Sequence, residues 1–181
     1  MEATITKQFT LEQPIAKVWS ALSNPMEIAG CVPGATITEN IDDRNYKGEV
    51  SVKFGPVKAK YNGEITIAEM DNDNHHMSLK GRGLDSKGKG SADMTMRGAV
   101  VSKGESATEV DFKMEIKIQG TLAQFGFRLI NDVSDQLMKQ FIENFKKLLE
   151  GSEVDNTLKA GSMMGSVIQS KVSGIFKKKE E

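Results

Sequence analysis

The residue types that most often carry out chemistry are few in this sequence. Its two histidines, His75 and His76, are adjacent. Neighbouring residues of a strand point to opposite faces of a sheet, so this pair cannot easily share one metal ion. Because no cysteine or carboxylate cluster at metal-ligand spacing accompanies them, we interpret them as a pair at the edge of a turn and expect no metal site. The single cysteine, Cys31, lacks a basic residue nearby in sequence, which favours a structural thiol over a nucleophile.

The other groups that could act as acids, bases or hydrogen-bond donors have simpler explanations. Several aspartates fall in predicted turns, where a short carboxylate bonds its own backbone. They are Asp42, Asp43, Asp71 and Asp73. No pair of carboxylates is predicted to face the interior, as general acid–base catalysis would need, so we predict no catalytic residue. Tyr46 and Tyr61 are predicted on inward faces, where each hydroxyl could meet the polar end of a ligand or a partner within the core, and we favour the core role.

Two glycine-rich motifs, Gly81-Arg82-Gly83 and Gly88-Lys89-Gly90, suggest a phosphate-binding loop at first sight. Such a loop needs a helix N-terminus directly after the glycines, and here a strand is predicted to follow. Basic residues nearby form a strip on the predicted outward face. They are Lys80, Arg82, Lys87 and Lys89. Aromatic residues do not alternate with them, so we interpret the strip as a solvated sheet face and predict no nucleic-acid binding.

The composition indicates one globular domain with an appendage. The chain has 181 residues, of which 38% are hydrophobic and 27% are charged, as is typical of a folded protein that can bury its own core. Its net charge of −1 gives no general attraction to nucleic acid or to an acidic membrane. There is neither an N-terminal signal pattern nor a run of about 18 apolar residues, and one cysteine fits a reducing compartment, so we expect a cytoplasmic protein. Its ten methionines suit an adaptable apolar surface.

Hydrophobic periodicity predicts the elements that position these residues. Residues 3–11 alternate as a half-buried strand, and two short helices follow, one opening at Pro14 and one at about 25–30. From there to Gly120 the apolar period is two, which is typical of an antiparallel meander with one solvated face. The spacing then becomes three and four, which predicts one helix over about 122–150 that must pack on the sheet. The predicted class is α+β, with a curved antiparallel sheet of six to seven strands wrapped around a long C-terminal helix.

Small residues are concentrated on the predicted concave face of this sheet. They are Gly81, Gly83, Gly88, Gly90 and Ala92. Methionines share that face, whereas a fully packed core would place larger side chains there. Either a cavity lies between sheet and helix, or the glycines let the sheet bend and the short helices approach closely. On the first interpretation, strand parity and the helix stripe predict an apolar ligand-binding pocket. Its predicted lining is Trp19, Val52, Phe54, Tyr61, Met77, Leu79, Met94, Met96, Phe112, Met114, Phe125 and Leu129.

The end of the chain has a different pattern, so we divide the sequence into a domain over 1–150 and an amphipathic extension over 151–181. In the extension, apolar residues recur at helical spacing and three lysines follow them. A stripe of this kind predicts contact with anionic lipid headgroups or with a partner protein, and the alternative is an inert, solubilising tail. The residues predicted to make this contact are Val167, Ile168, Val172, Ile175, Phe176, Lys177, Lys178 and Lys179.

Short motifs spread over residues 1–150 occur in the order found in one protein family. They are Val18-Trp19, Leu22-Ser23-Asn24-Pro25, Gly30-Cys31-Val32-Pro33-Gly34, Tyr46-Lys47-Gly48-Glu49-Val50, Gly55-Pro56-Val57, Tyr61-Asn62-Gly63-Glu64, Gly88-Lys89-Gly90 and Gly120-Thr121-Leu122-Ala123-Gln124-Phe125-Gly126. Together they resemble the G-subunit family of carbon monoxide dehydrogenase, which belongs to the START-like, polyketide-cyclase-like helix-grip superfamily. The resemblance implies a helix-grip fold, in agreement with the fold predicted from periodicity.

The resemblance also implies a binding role rather than a reaction. Members of that family are associated with molybdenum hydroxylases of the carbon monoxide dehydrogenase type, with membrane recruitment of that enzyme, and with a lipid-like electron carrier such as a quinone. We therefore expect a protein that holds a hydrophobic small molecule, contacts hydroxylase subunits, and touches the inner face of the cell membrane through its tail. No cofactor of its own is expected. The alternatives are a cyclase- or hydratase-like enzyme of the same superfamily and an assembly factor without a ligand.

Overall fold

The fold is built from seven strands, two short helices and one long helix, and the computed structural model describes residues 1–54 and 57–158. In chain order the elements are β1 (Glu2–Leu11), α1 (Ile15–Leu22), α2 (Pro25–Ala29), β2 (Ala35–Asn40), β3 (Asn45–Phe54), β4 (Val57–Asp71), β5 (His76–Asp85), β6 (Gly90–Ser102), β7 (Thr108–Gly120), a 3-10 helix (Thr121–Phe125) and α3 (Gly126–Leu149). The strands form one antiparallel sheet in the order β1-β7-β6-β5-β4-β3-β2. The predicted α+β class, with two short helices after the first strand and a long C-terminal helix, is confirmed.

The period-two alternation of the strands gives the sheet two chemically different faces. The inner face carries Ala3 and Ile118, which pack against Ile130 of α3. The outer face carries a row of directly opposed residues whose charge alternates in sign across all seven strands. This row, the charge ladder, is Glu2, Lys117, Asp93, Arg82, Glu64, Lys47 and Glu39. Opposite charges facing each other across neighbouring strands favour this register over a slipped one.

The two short helices begin where the sequence predicts. Pro14 stands at the N-cap of α1, where a missing N–H has no cost. Asn24 caps α2, because its side-chain oxygen accepts a hydrogen bond from Met26 N at 3.2 Å. The second short helix predicted at about 25–30 is therefore confirmed as α2.

The long helix starts later than predicted. A 3-10 helix occupies Thr121–Phe125, and α3 begins at Gly126, whose φ is 76°. A residue with left-handed backbone cannot continue a right-handed helix, which explains why the apolar stripe that begins at Leu122 does not start α3. Gly120 precedes the 3-10 helix with a φ of 84°, and a Cβ on it would lie 1.9 Å from the Lys89 carbonyl oxygen. The two glycines thus bracket the turn that leads from the sheet to α3.

The hydrophobic core is divided into two clusters along α3. The larger cluster, which we call the closed end, surrounds the fully buried Phe145. Its other buried members are Leu11, Val18, Trp19, Ala21, Cys31, Val100, Val110 and Leu149. The smaller cluster consists of Ala3, Ile118 and Ile130 with partly buried neighbours. At a rise of ~1.5 Å per residue, the helix from Ile130 to Phe141, at the border of the closed end, is about 16 Å long.

The residues just after α3 pack against the domain. Asn156 O accepts a hydrogen bond from Gly34 N at 2.9 Å, and Asn156 Nδ2 donates to Ala35 O at 3.1 Å. Gln140 Nε2 donates to Thr157 O at 2.6 Å. These bonds hold the chain beside the start of β2. The division at residue 150 stays a prediction. No helix in residues 1–54 and 57–158 is long and apolar enough to cross a membrane.

Candidate functional site

The stretch of inner face between the two core clusters is apolar but belongs to neither of them. Four half-buried residues of β5, β6 and β7 define this region, which we call the open middle. They are Leu79, Met96, Phe112 and Met114. Register places three of them, Leu79, Met96 and Met114, in one row across neighbouring strands. This row lies on the inner face, on which α3 packs at the two clusters, and its side chains are half-buried.

Two apolar side chains outside the open middle are exposed, one on β4 and one on α3. Ile65 lies on the inner face of β4 and is 39% exposed, and Phe127 near the start of α3 is 48% exposed. A depression of about 840 Å³ runs across β1, β7, β6, β5 and β4 at the level of the charge ladder. Its lining is mostly the charged and threonine side chains of the outer face, together with Phe127 and Met94. Among the predicted pocket residues whose side chains the structure describes, Met94 alone lines this depression.

Glycines contribute to the open middle, but not all of those that the sequence indicated. Gly88 has a φ of 69° and lies in the turn before β6, so it is not on the inner face as predicted. A Cβ on Gly90 would lie 2.2 Å from the Gln119 carbonyl oxygen, which means that this glycine serves close backbone approach. Gly98 is absent from the predicted set, yet a Cβ there would meet nothing nearer than 3.7 Å. The row between Met77 and Phe112 therefore has room for a methyl group at Gly98, in ordinary van der Waals contact with Phe112.

The predicted pocket residues are distributed over three environments. Trp19 and Tyr61 are buried, at 7% and 6% exposure, and Phe125 is exposed at 45%. The Phe54 side chain and the predicted tail contacts, Val167 to Lys179, lie outside the described residues. The half-buried members are Val52, Met77, Leu79, Met94, Met96, Phe112, Met114 and Leu129.

Trp19 lies at the closed end and not in the open middle. Its Nε1 donates a hydrogen bond to Asn72 Oδ1 at 3.0 Å, and its ring meets the His75 ring edge-on at a centroid distance of 5.4 Å. His76 points the other way, with Nε2 3.5 Å from Glu69 Oε1. The two histidines thus have separate partners. Within the described part of the chain, no group of three or more potential metal ligands is found.

Lys7 is a functional candidate that the sequence reasoning missed. It lies on the inner face of β1, in register with Phe112, and its Nζ donates a hydrogen bond to Asp135 of α3. Among the described strand residues, Lys7 and Asp85 are the charged ones on the inner face. Asp85 is used in a turn, where it accepts from Lys87 N at 2.8 Å. The signal is present in the sequence, because Lys7 interrupts the otherwise apolar alternation of β1.

Burial raises the pKa of two side chains, Tyr61 on β4 and Cys31 at the closed end. Burial, with a smaller contribution from Asp85, raises the pKa of the Tyr61 hydroxyl. Tyr61 therefore stays protonated and can donate a hydrogen bond. Burial, followed by the negative charge of Glu27, raises the pKa of Cys31 to about 11. A thiol with that pKa is not a nucleophile at neutral pH, which agrees with the structural role expected for it.

The family model for CoxG, the G subunit of carbon monoxide dehydrogenase, matches residues 8–150. The chain belongs to this family. Curated proteins give no match. Among solved structures, a conserved protein from Geobacillus kaustophilus is 21% identical with a TM-score of 0.75, covering 82% of this chain and 96% of that one.

Two further solved structures share the fold at lower identity. The Zhui aromatase/cyclase from Streptomyces sp. R1128 is 10% identical, with a TM-score of 0.58 and coverage of 83% and 94% of the two chains. A START superfamily protein from Mycobacterium smegmatis is 8% identical, with a TM-score of 0.57 and coverage of 82% and 97%. At these identities the likeness shows the fold alone, and that fold is the helix-grip fold expected of the chain.

Proposed function

We propose that this CoxG-family protein holds an apolar small molecule, lipid- or quinone-like, between the sheet and α3. The observation that carries the proposal is the open middle. Leu79, Met96 and Met114 form a continuous apolar row on the inner face that is only half-buried and belongs to neither core cluster. Apolar surface left in contact with water is costly at ~25 cal/mol per Å², so a guest that covers this row gains affinity from it.

The side chains of the open middle suit a guest that varies in shape. Methionine has three rotatable bonds and a polarizable sulfur, so it repacks around different ligands more readily than branched residues do. Gly98, which has no side chain, lies beside the same row. Such a lining favours a carrier over a site that must hold one substrate in a fixed pose.

We further propose that the protein acts as an accessory or membrane-recruitment factor for a molybdenum hydroxylase of the carbon monoxide dehydrogenase type. The description of the family supports this role. The bonds from Asn156 to Gly34 and Ala35 hold the chain beside β2, from where the predicted tail would continue. The tail would contact the membrane or the hydroxylase while the guest is held at the inner face.

A filling variant tests the binding proposal. Gly98→Leu places a large side chain on the inner face beside Phe112, and we expect it to weaken binding of a short-chain quinone by about ten-fold or more. Ala99→Leu is the matched control, because it adds a similar side chain one residue away on the outer face. Binding is measured by calorimetry, and organic extracts of all purified proteins are compared by mass spectrometry.

The proposal predicts an apolar compound in extracts of the native protein and of Ala99→Leu, and little in extracts of Gly98→Leu. Equal binding by the two variants, with both correctly folded, contradicts it. For the recruitment role, chains ending at Leu158 are compared with the full chain. We expect the full chain alone to float with anionic vesicles or to retain hydroxylase subunits in a pulldown.

A cyclase-like enzyme is the second candidate, because Lys7 and Asp135 place charged groups at the border of the inner face. An enzyme would return its ligand chemically changed, whereas a carrier returns it intact. Mass spectra of a bound polyketide-like or quinone ligand, taken before and after incubation with the protein, separate the two. We expect an unchanged mass.

A further inference from the structure

We propose that Lys7 is the recognition point for the polar end of the bound molecule, and that the protein selects ligands with an acceptor oxygen joined to an apolar body. This inference deepens the proposed carrier function and rests on it. The shared chemistry is a carboxylate, as in a fatty acid, or a carbonyl, as in a quinone. The Lys7 ammonium donates to either one.

The position of Lys7 supports this role. Register aligns Lys7 with Phe112 and, one strand further, with Gly98, so the lysine stands at the β1 end of the row next to the one formed by Met114, Met96 and Leu79. Its neighbours on the inner face of β1 are Ile5 and Phe9, both apolar. A guest lying along the open middle would therefore meet one cation, at the β1 edge.

The ion pair between Lys7 and Asp135 is exposed, so a ligand oxygen can replace the Asp135 carboxylate as the acceptor. The Lys7 and Asp135 side chains are 31% and 62% exposed, and an ion pair in contact with water contributes little to stability. A depression of about 300 Å³ lies beside the pair, between β1 and α3. It is lined by Thr4, Ile5, Thr6, Lys7, Asn131, Ser134 and Asp135, and Ile5 pairs in register with Met114 of the open middle. A ligand oxygen entering this space can replace the Asp135 carboxylate as the acceptor, which leaves Asp135 free to be solvated.

The positive charge of Lys7 predicts which ligand head groups bind most tightly. A ligand with an anionic or carbonyl oxygen gains a charge-assisted hydrogen bond from Lys7, whereas an alcohol gains a weaker one and an amine is repelled. We expect decanoate to bind about ten-fold more tightly than decanol, and decylamine to bind least well. Ubiquinone-1 serves as the carbonyl probe.

Substitutions of Lys7 test the inference by calorimetry on the full chain. Lys7→Met keeps the length of the side chain and removes the charge, so the preference for decanoate over decanol should disappear while decanol affinity stays. Lys7→Arg should retain the preference. Asp135→Asn removes the competing carboxylate and should tighten decanoate several-fold. Lys113→Met, which removes a lysine from the outer face of β7, is the matched control and should change nothing.

The outcomes separate this inference from the carrier function. If none of the probes binds the native protein, the carrier function fails. If decanoate and decanol bind equally well, or if Lys7→Met weakens both by the same factor, the carrier function stands and the role of Lys7 is overturned. If Lys7→Met weakens both decanoate and ubiquinone-1 but not decanol, Lys7 recognises the acceptor oxygen that the two share. If it weakens decanoate alone, Lys7 recognises a carboxylate.

Discussion

α3 covers two regions of the inner face that are packed in different ways. At the closed end, Phe145 is fully buried and stacks on Phe141 with ring centroids 5.7 Å apart, and Phe141 meets Phe9 edge-on at 6.3 Å. In the open middle, Met96 and Met114 lie on the same inner face but are only half-buried and belong to neither core cluster. One region fixes the helix on the sheet by close aromatic packing, and the other keeps apolar surface available. A carrier needs both, because the guest can be exchanged only if something else holds the fold together.

The largest expected difference between the regions is in stability. Phe145→Ala removes a fully buried ring from the closed end and should lower the free energy of unfolding by about 3–5 kcal/mol. Met114→Ala removes a half-exposed side chain from the open middle and should cost less than about 2 kcal/mol, because little packing is lost there. Urea denaturation of both variants measures the difference. Similar losses at the two sites would show that the open middle is packed like a core.

Because Cys31 is buried at the closed end, the free energy of unfolding should depend on pH. Since the pKa of Cys31 is raised from 9.0 to about 11, the folded state keeps the proton that the unfolded state loses. Stability from this group is complete below pH 9 and is lost as the pH rises towards 11, by up to about 2–3 kcal/mol. Urea denaturation from pH 8 to 11 measures the loss, and Cys31→Ala should lose less over that range. An equal loss in the variant would contradict a buried, protonated thiol.

Alanine substitutions of two glycines, one in the open middle and one at the start of α3, should change stability by smaller amounts. A Cβ on Gly126 would meet nothing within 4 Å, but its φ of 76° is unfavourable for other residues, so Gly126→Ala should cost about 1–2 kcal/mol. Gly98→Ala adds a methyl group in ordinary van der Waals contact, at 3.7 Å or more, and has no such backbone penalty, so it should be neutral or stabilising by up to about 1 kcal/mol. Thermal unfolding distinguishes the two. A destabilising Gly98→Ala would mean that the space beside Phe112 is already filled.

The smallest expected change in stability comes from a substitution on the outer face. That face carries charged side chains, whereas the inner face carries apolar ones such as methionine. Arg82 stands opposite Asp93 and Glu64 in the charge ladder. Arg82→Glu places three like charges in a row and should destabilise the sheet by a few tenths of a kcal/mol, and less at high salt because the side chain is exposed. Denaturation at low and high salt tests this. A loss that does not depend on salt would contradict an electrostatic role.

Most of the fold could be predicted from the sequence because each element has a strong period. The alternation in β1 and from Tyr46 to Gly120 predicted the sheet, and the stripe ending at Leu148 predicted the long helix. The start of α3 was missed, since the apolar spacing continues through Gly126 and only its backbone conformation ends the pattern. Local conformation of this kind is set by the tertiary structure.

The candidate site was less predictable. The local sequence indicates which residue types lie on the inner face, but tertiary contacts decide which of them belong to the open middle. Strand parity placed Met96 and Met114 on the inner face, as register confirms. Trp19 lies in the closed end because Asn72 and His75, more than fifty residues away in sequence, hold its ring there. The pairing of Lys7 with α3 could not be foreseen from β1 alone.

The most direct test of the carrier function is a titration of protein labelled with ¹³C at its methionine methyl groups. When ubiquinone-1 or decanoate is added, we expect the methyl resonances of Met96 and Met114 to shift, because both lie in the open middle. Met26, which is 55% exposed on α2, should stay in place. If Met96 and Met114 do not move, or if Met26 moves as far as they do, no guest occupies the space between the sheet and α3.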